Sequence, residues 1–481
     1  MRLNHLKVLS KEELSKIHQT SLRVLSETGV VIHNEKALRL LGDHGVKVDM
    51  GKERAWIPES FILEALSSIP SKIRLYNRDK GHYFTLGEQN NCLVGSGFDA
   101  VYVLDYETGE RRKAIKEDVR KFARLSDALD NIDIVAVPAI PQDVEPESAH
   151  LHAVEAIFNE TDKHLILAPD SIGTTAAILK MASTVIENED LSHYPILSFE
   201  VSSLSPLSWE KQSAESLMAI AEAGAPCLFL PQPYAGVTAP ITLAGQLTIN
   251  NAETLSGIVI TQLVRKESPV IYGSAWTTFD MREANVTLSS PETILLRVAG
   301  VQMAKFYNIP SHTTAPDSDS HSLDEQNAWE KALTLFSAMA AGVNVVINAG
   351  MFATGLTIGF EQLVMDNEIT GIARRLIEGI DVSEEMIASE VIKRVGPKGQ
   401  FLEDPHTLKH LRDKEHWKPG ISNREIYENW LLKGKSSVVE KARKRAKEIM
   451  STHSPKELKK EIKKRLSEII SDFERKYSRK H

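Results

Sequence analysis

The feature that most constrains the fold is a series of eight short apolar runs, each followed by a segment whose apolar residues recur at helical spacing. Such runs are typical of strands buried on both faces, and the helices between them are typical of crossovers between parallel strands. In chain order the runs are CLVGSG (92–97), IDIVAVPAI (132–140), HLILAPDS (164–171), PILSFEVSS (195–203), PCLFLPQP (226–233), PVIYGSAW (269–276), IPSHTTAPDS (309–318) and VNVVINAG (343–350). Eight strand–helix units predict an α/β fold of the TIM (β/α)8 barrel type.

The segments outside these units divide the rest of the chain. Helical patterns from the start predict a helical N-terminal layer over residues 1–90, ahead of a barrel over residues 91–380. A C-terminal helical extension packing on the barrel is expected over 381–432, and a basic amphipathic helical tail over 433–481. The insert VYVLDYETGERRKAI after the first run predicts a β-hairpin that turns at ETGE.

Charge is distributed unevenly along the chain. Residues 433–481 hold 17 Lys and Arg against 7 Asp and Glu, which leaves 40 against 58 for residues 1–432. Apolar residues in the tail recur at helical spacing, and its two aromatic residues, Phe473 and Tyr477, lie near its end and are not interleaved along the basic run for base stacking. We therefore expect the tail to dock on the acidic body or on a neighbouring subunit, and we expect no nucleic-acid partner.

Composition and the N-terminus indicate a cytoplasmic protein. Cys92 and Cys227 are too few for a disulfide framework and lie in apolar runs, where a buried thiol is the default. The N-terminus lacks the apolar region of a signal peptide, and no run of about 18 apolar residues predicts a membrane span. We expect no membrane association, and apolar positions in the outer helices are compatible with a homo-oligomer such as a dimer.

In a barrel of this type the active site lies at the C-terminal ends of the strands. The residues at these positions include Phe98, Gln232, Tyr234, Trp276, His312, Asp317 and Asn348. No strand ends in a lysine, which disfavours a Schiff-base aldolase, and neither cysteine is placed as a nucleophile. Histidine pairs are poorly placed to share a metal ion, and we predict no metal ligands.

The predicted mouth is rich in aromatic rings accompanied by carboxylates. Rings at Phe98, Tyr234, Trp276 and Phe360 suit a cation that lacks N–H donors, because a ring face attracts such a cation through its quadrupole. A quaternary ammonium is the natural guest of this kind of site.

Four separated blocks give the sequence a family resemblance. They are HQTSLRVLSETGVVIHNEKALRLLGDHGVKVD with IPESFILEALSSIP, then GSGFDAVYVLDYETGERRKAIKEDVRKFARLSDAL, then DSDSHSLDEQNAWEKAL, and finally GQFLEDPHTLKHLRDKEHWKPGISNREIYENW. With these blocks in order, the chain resembles the trimethylamine methyltransferase family, and in particular its members without pyrrolysine, some of which demethylate glycine betaine and related quaternary amines. The pyrrolysine position aligns with Trp329, ahead of Glu330.

The resemblance implies methyl transfer from a quaternary amine to cob(I)alamin held on a separate corrinoid protein, with no cofactor bound tightly by the chain itself. For a betaine, Gln232, His312 and Asn348 would supply hydrogen-bond donors to the carboxylate, together with His321. The expected substrate site therefore comprises Phe98, Gln232, Tyr234, Trp276, His312, Trp329, Asn348 and Phe360. Catalytic roles, in orienting an imidazole or relaying a proton, are predicted for Asp317, His321 and Glu330.

Two other functions fit the same residues. One is a metal-dependent barrel hydrolase or lyase, which a stoichiometric zinc content would reveal. The other is a non-catalytic protein that binds quaternary amines, which would bind its ligand without methylating cob(I)alamin.

Overall fold

The computed structural model describes residues 6–88, 92–274, 277–412 and 415–477. All eight apolar runs contain a strand, and the eight strands close into a barrel in which neighbours are parallel and follow chain order. Numbered β1 to β8, they are Leu93–Ser96, Ile134–Ala136, Leu165–Leu167, Leu197–Val201, Cys227–Phe229, Val270–Gly273, Ser311–Thr314 and Val345–Ala349. The predicted TIM barrel is confirmed.

One long helix follows each strand. Numbered α1 to α8, these helices are Lys116–Ala128, Ala149–Glu160, Ile172–Val185, Lys211–Ala223, Leu243–Val264, Pro291–Phe306, Glu325–Ala341 and Phe360–Glu378. The ends of α7 show how the sequence sets these boundaries. Asp324 caps its N-terminus by accepting a hydrogen bond from the Asn327 backbone N–H at 2.9 Å, and Gly342 ends the helix with a left-handed φ of 80°.

The barrel lumen is filled by one apolar layer and closed at one end. Inward-facing Ile134, Ile166, Leu228, Ile271 and Val345 pack together inside the strands. A hairpin of strands Ile73–Tyr76 and Tyr83–Leu86 contributes Ile73, Leu75 and Leu86 to the same cluster. Because the Tyr76 backbone N–H bonds to the carbonyl of Pro195, which precedes β4, this hairpin covers the N-terminal end of the barrel.

The N-terminal segment packs on the outside of α5. Its helices are Lys11–Arg23, Glu35–Asp43 and Glu59–Ser68, with a π-helical turn at Val24–Thr28. It also forms short strands that the sequence did not predict, in a sheet of order Ser208–Trp209, Val30–Ile32, Arg54–Trp56, Lys47–Asp49. Leu22 and Leu25 lie in the same apolar core as Leu255 and Ile258 of α5, so this layer shares its core with the barrel.

Two small sheets rise from the C-terminal side of the barrel. The predicted hairpin is confirmed as antiparallel strands Tyr102–Leu104 and Arg111–Lys113. Strand Thr357–Gly359 pairs with Tyr102–Leu104, and Met351–Phe352 pairs with Thr357–Gly359. The hairpin thus becomes part of a four-stranded sheet. A second hairpin, not predicted, pairs Thr278–Asp280 with Asn285–Thr287 after β6.

The chain beyond α8 forms short helices and then two long ones. The short helices are Glu384–Ile387, Ser389–Val395, Pro405–Arg412 and Tyr427–Leu432, and none of the four has a buried residue. This part of the chain exposes large apolar side chains such as Ile380, Leu402 and Leu432, a surface compatible with the homo-oligomer, which stays a prediction.

The basic tail forms the helices Val438–Thr452 and Lys460–Tyr477. Apolar side chains of the second helix, among them Leu466 and Ile470, are buried in the barrel's outer core, which confirms the amphipathic pattern. Ion pairs join the tail to the acidic body, including Lys456 to Asp79 at 2.8 Å. Exposed pairs of this kind contribute little, so the apolar burial provides most of the docking energy.

Among the described residues, no helix combines the length and the apolar character that crossing a membrane requires.

A buried ion pair ties the end of β8 to two barrel helices. Lys331 of α7 donates to Asp366 of α8 at 2.8 Å, and both side chains are fully buried. Asp366 also accepts the backbone N–H of Gly350 at 2.6 Å. Because the pair fixes the loop that follows β8, it positions one part of the barrel mouth.

We expect Lys331→Met to lower the free energy of unfolding by about 3 kcal/mol, since it leaves the Asp366 carboxylate buried without its cation. Chemical denaturation at pH 7 measures this change, with Lys444→Met on an exposed helix face as the matched control. Equal stability of the two variants would contradict the structural role of the pair.

Candidate functional site

The C-terminal ends of the strands carry a cluster of three ionisable side chains around His150. His150 is the second residue of α2, and its side chain is only 3% exposed. Its Nδ1 lies 2.5 Å from Asp170 Oδ2, after β3, and its Nε2 lies 3.2 Å from Asp99 Oδ1, after β1. Helix α2 thereby holds two loops of the barrel mouth through one imidazole.

The charge state of His150 follows from these contacts. Burial alone would lower the pKa of this imidazole, but the negative charge of Asp99 and the hydrogen bonds to both carboxylates raise the pKa to about 10. His150 is therefore an imidazolium at neutral pH, and both of its N–H groups are used by carboxylates. From the sequence His150 was considered only as a weak metal ligand.

Glu200 lies inside the barrel at the end of β4. It is in register with Leu228 of β5, which belongs to the lumen layer, so its side chain also points into the lumen. The residue is 5% exposed, and its Oε2 has no hydrogen-bond partner among the described residues. Burial, and next the negative charge of Asp99, raise the pKa of its carboxyl group to about 8.

His312 is the second unpartnered titratable group of the lumen. It is in register with Val345 of the lumen layer and is fully buried, and no described residue is a hydrogen-bond partner of either ring nitrogen. Burial lowers the pKa of its imidazole to about 3, so the ring is neutral. A neutral imidazole can donate one hydrogen bond to a ligand, which agrees with the donor role expected from the sequence.

An aromatic pair lies on the rim after β5 and β6. The rings of Tyr234 and Phe279 are nearly parallel, with centroids 6.4 Å apart, and both residues are half-buried. The Tyr234 hydroxyl donates to Gln232 Oε1 at 3.5 Å, so these two predicted residues are brought together. Gln246 of α5 fixes both loops, since its Nε2 donates to the carbonyls of Pro233 and Thr277, each at 2.6 Å.

Phe98 lies on the loop after β1. In the closed barrel this loop is on the side opposite β5, which precedes the loop that carries Tyr234. It is half-buried and packs against both the lumen layer and the outer core. Trp276, which the sequence places in the cage, lies outside the described residues.

The loop after β7 is an anchored structure rather than a set of free side chains. Asp317 is 1% exposed and pairs with Arg297 at 2.9 Å, while it accepts the Asn348 amide at 2.8 Å. Glu330 accepts the Ser318 hydroxyl and the Asp319 backbone N–H at 2.8 and 2.9 Å. These contacts hold Asp317, Asn348 and Glu330 in place within the loop, and the catalytic and substrate roles expected from the sequence stay predictions.

Three further predicted residues lie away from the lumen. Phe360 is 1% exposed and packs edge-on against Tyr106 in the outer core, with ring centroids 5.1 Å apart. Trp329 is 56% exposed on α7, and His321 is exposed on the loop ahead of that helix. The structure therefore does not bring Phe360, Trp329 or His321 together with Tyr234, because the first faces the outer helices and the other two face solvent.

Within the part of the chain that the structure describes, no group of three or more His, Cys, Asp or Glu side chains is arranged to hold a metal ion. Both cysteines are buried, and burial raises the pKa of the Cys92 thiol to about 12. Neither thiol is activated for nucleophilic attack.

The family model described as trimethylamine methyltransferase (MTTB) matches residues 1–478. The chain belongs to the trimethylamine methyltransferase family. The resemblance inferred from the four sequence blocks is thus confirmed, and so is the enzyme class, a methyltransferase.

Relatives within this family carry two substrate names. A protein named trimethylamine methyltransferase MttB from Desulfitobacterium hafniense strain DSM 10664 / DCB-2 is 35% identical over 450 residues, which cover 93% of this chain and 90% of that protein. A protein named glycine betaine methyltransferase from strain Y51 is 32% identical over 452 residues, which cover 93% of each.

A solved structure agrees with the barrel fold of this methyltransferase. The crystal structure of the Methanosarcina barkeri monomethylamine methyltransferase (MtmB) has a TM-score of 0.52 at 14% identity, covering 92% of this chain and 88% of that one. At this identity the likeness bears on the fold alone.

We expect His150→Gln to lower the free energy of unfolding by about 2 kcal/mol at pH 6, where the imidazolium bonds to both carboxylates are present. The folded pKa of about 10 lies above the unfolded value of about 6.5, so this contribution is complete below pH 6.5 and is lost as the pH rises through 10. The difference from the wild type should therefore shrink between pH 6.5 and pH 10.

Urea denaturation across this pH range measures the difference, with His82→Gln at an exposed position as the control. A difference that stays constant with pH would show that His150 is not charged in the folded protein.

Proposed function

We propose that this methyltransferase moves a methyl group from a quaternary amine of the glycine betaine class to cob(I)alamin carried by a separate corrinoid protein. The observation that carries the proposal is the pairing of stacked Tyr234 and Phe279 at the mouth with an unpartnered carboxyl group, Glu200, inside it. Ring faces attract a cation that has no N–H donors through their quadrupole, and a buried carboxyl group can supply its counter-charge.

The absence of pyrrolysine from the sequence supports a quaternary amine over trimethylamine. The resemblance places Trp329 at the pyrrolysine position of the trimethylamine enzymes. One relative bears the name glycine betaine methyltransferase, and a betaine would also use the free imidazole of His312 for its carboxylate.

The proposed chemistry asks the chain to align the reactants more than to transfer protons. Attack of Co(I) on a methyl carbon is an in-line displacement, and a quaternary nitrogen leaves as a neutral amine without a general acid. The hydrogen-bonded, anchored state of buried Asp317 and half-buried Glu330 agrees with a site that needs no such acid. Tyr234, Phe279 and Phe98 would hold the ammonium with one methyl group directed out of the barrel mouth.

We also propose a cytoplasmic location and no tightly bound cofactor in this chain, as expected from its sequence. The corrinoid then arrives with its own protein, and the rim of the barrel must receive it.

The direct test follows cob(I)alamin converting to methylcob(III)alamin by absorbance, with glycine betaine, proline betaine, carnitine, γ-butyrobetaine, choline and trimethylamine as donors. At least one quaternary amine should react, and trimethylamine should not. Amine binding without any methylation would favour a non-catalytic binding protein, and a full equivalent of zinc would favour the metal-dependent barrel enzyme.

In the same assay Tyr234→Leu should weaken binding of the reactive amine by about 1 to 2 kcal/mol, because one ring face is lost. Calorimetric titration measures the affinity, with Tyr427→Leu on the exposed C-terminal extension as the control. An unchanged affinity would remove Tyr234 from the amine site.

Exposed apolar residues next to the aromatic pair offer a surface for the corrinoid protein. Val237, Ile241 and Met281 are 56%, 61% and 60% exposed on the loops after β5 and β6. The side chains of Ile241 and Met281 converge on Gly236. We assign this patch to the corrinoid protein because the methyl group leaves through the same rim and the cobalt must approach it.

We expect Ile241→Glu to slow methyl transfer to the corrinoid protein at least tenfold, since a buried charge would oppose docking. Methylation of free cob(I)alamin should be unchanged, because it requires no docked protein. Leu63→Glu, at an exposed position of the N-terminal layer, is the control and should leave both rates unchanged. Equal loss of both reactions in Ile241→Glu would place Ile241 in the amine site instead.

A further inference from the structure

A carboxyl group that is buried without a partner needs a physical explanation, and Glu200 is such a group. Although the residue is only 5% exposed, its Oε2 has no hydrogen-bond partner within the part of the chain that the structure describes. It points into the barrel lumen from the C-terminal part of β4, in the same direction as Leu228 beside it. An ionised carboxylate at this position would lack both solvent and a counter-ion, which is costly.

The groups that surround Glu200 do not supply that counter-ion. Asp99, on the loop after β1, places a second negative charge nearby, and Cys227, on the adjacent strand β5, is a neutral buried thiol. The imidazolium of His150 directs one N–H to Asp99 and the other to Asp170. The lumen imidazole of His312 is neutral.

The free protein therefore favours the protonated form of Glu200. Burial and the charge of Asp99 raise the pKa of this carboxyl group to about 8, so most molecules carry the proton at pH 7. A cation placed about 4 to 6 Å from a carboxyl group lowers its pKa by about 1 to 3. A quaternary ammonium bound at the mouth would thus favour the ionised form of Glu200 over the protonated form.

We propose that Glu200 is a specificity-determining residue that is protonated in the free enzyme and becomes the counter-ion of the quaternary ammonium, releasing one proton to solvent when the amine binds. This inference rests on the proposed function and deepens it, because it assigns the cation recognition to one residue. A lumen of this kind stays neutral while empty and becomes negative only when a permanent cation enters.

Glu200 keeps 5% of its surface exposed, so its proton can exchange with solvent at the barrel mouth. The charge of Asp99 acts on it from a side chain that is 19% exposed. The exchange balances with one O–H bond of Glu200 broken and one buffer base protonated. No oxidant, reductant or further reactant is needed.

The test is isothermal titration calorimetry of the full-length protein at pH 7 in buffers of different ionisation enthalpy. The probes are glycine betaine and 3,3-dimethylbutanoate, which has the same shape and carboxylate but an uncharged carbon in place of nitrogen. The dependence of the heat on the buffer should show release of about 0.4 to 0.9 proton per betaine, as linkage predicts when a pKa of about 8 falls by about 1 to 3. The uncharged analogue should bind at least tenfold more weakly and release no proton.

Glu200→Gln should abolish the proton release and weaken betaine binding, while Glu222→Gln, an exposed position on α4, should behave as the wild type. Release of the same number of protons from Glu200→Gln would overturn the assignment.

The wild type alone gives a second measurement that does not depend on the folding of a variant. Because binding releases a proton, the dissociation constant of betaine should fall about two- to eightfold between pH 6 and 7 and level off above pH 8. A dissociation constant that does not vary with pH would overturn the inference.

Failure of this inference differs from failure of the proposed function. Methylation of cob(I)alamin by glycine betaine without proton release on binding would remove the role of Glu200 and leave the function standing. An enzyme that neither binds nor demethylates any of the quaternary amines would remove both.

Discussion

The structure depends on the free-energy cost of placing a charged group inside a closed, apolar barrel lumen. Eight parallel strands exclude water from the layer formed by residues such as Ile166, Leu228 and Ile271. A titratable group in such surroundings must be neutral, paired or supplied with a ligand charge. His164, which directly precedes β3, is neutral, because burial lowers the pKa of its imidazole to about 4. Its Nε2 lies 2.8 Å from the Ser198 hydroxyl oxygen.

Outside the lumen, buried charged side chains are stabilised by ion pairs. Lys331 with Asp366 and Arg297 with Asp317 are ion pairs buried between the barrel wall and its helices. They hold the loops after β7 and β8 in one geometry. The mouth can then present Tyr234 and Phe279 from loops fixed by Gln246.

The sequence predicted the barrel well because an apolar run followed by an amphipathic helix is a local pattern. It predicted the site less completely because closeness in a barrel is not local. Gln232 and Tyr234 were placed together by their spacing along one strand end, and the structure brings them into contact. Phe360 was placed at the mouth because it follows a strand, but it opens α8 and faces the outer core.

Glu200 also shows which features the sequence determines and which depend on the tertiary structure. Its position inside an apolar run, in the segment PILSFEVSS, was a visible signal of a polar group among buried ones. The sequence by itself determined the strand, its alternation and therefore the lumen face of this carboxyl group, since the period of a strand is fixed by backbone geometry. Only the tertiary structure decided that no cation lies beside it among the described residues and that Asp99 does, because barrel closure sets which strand ends meet.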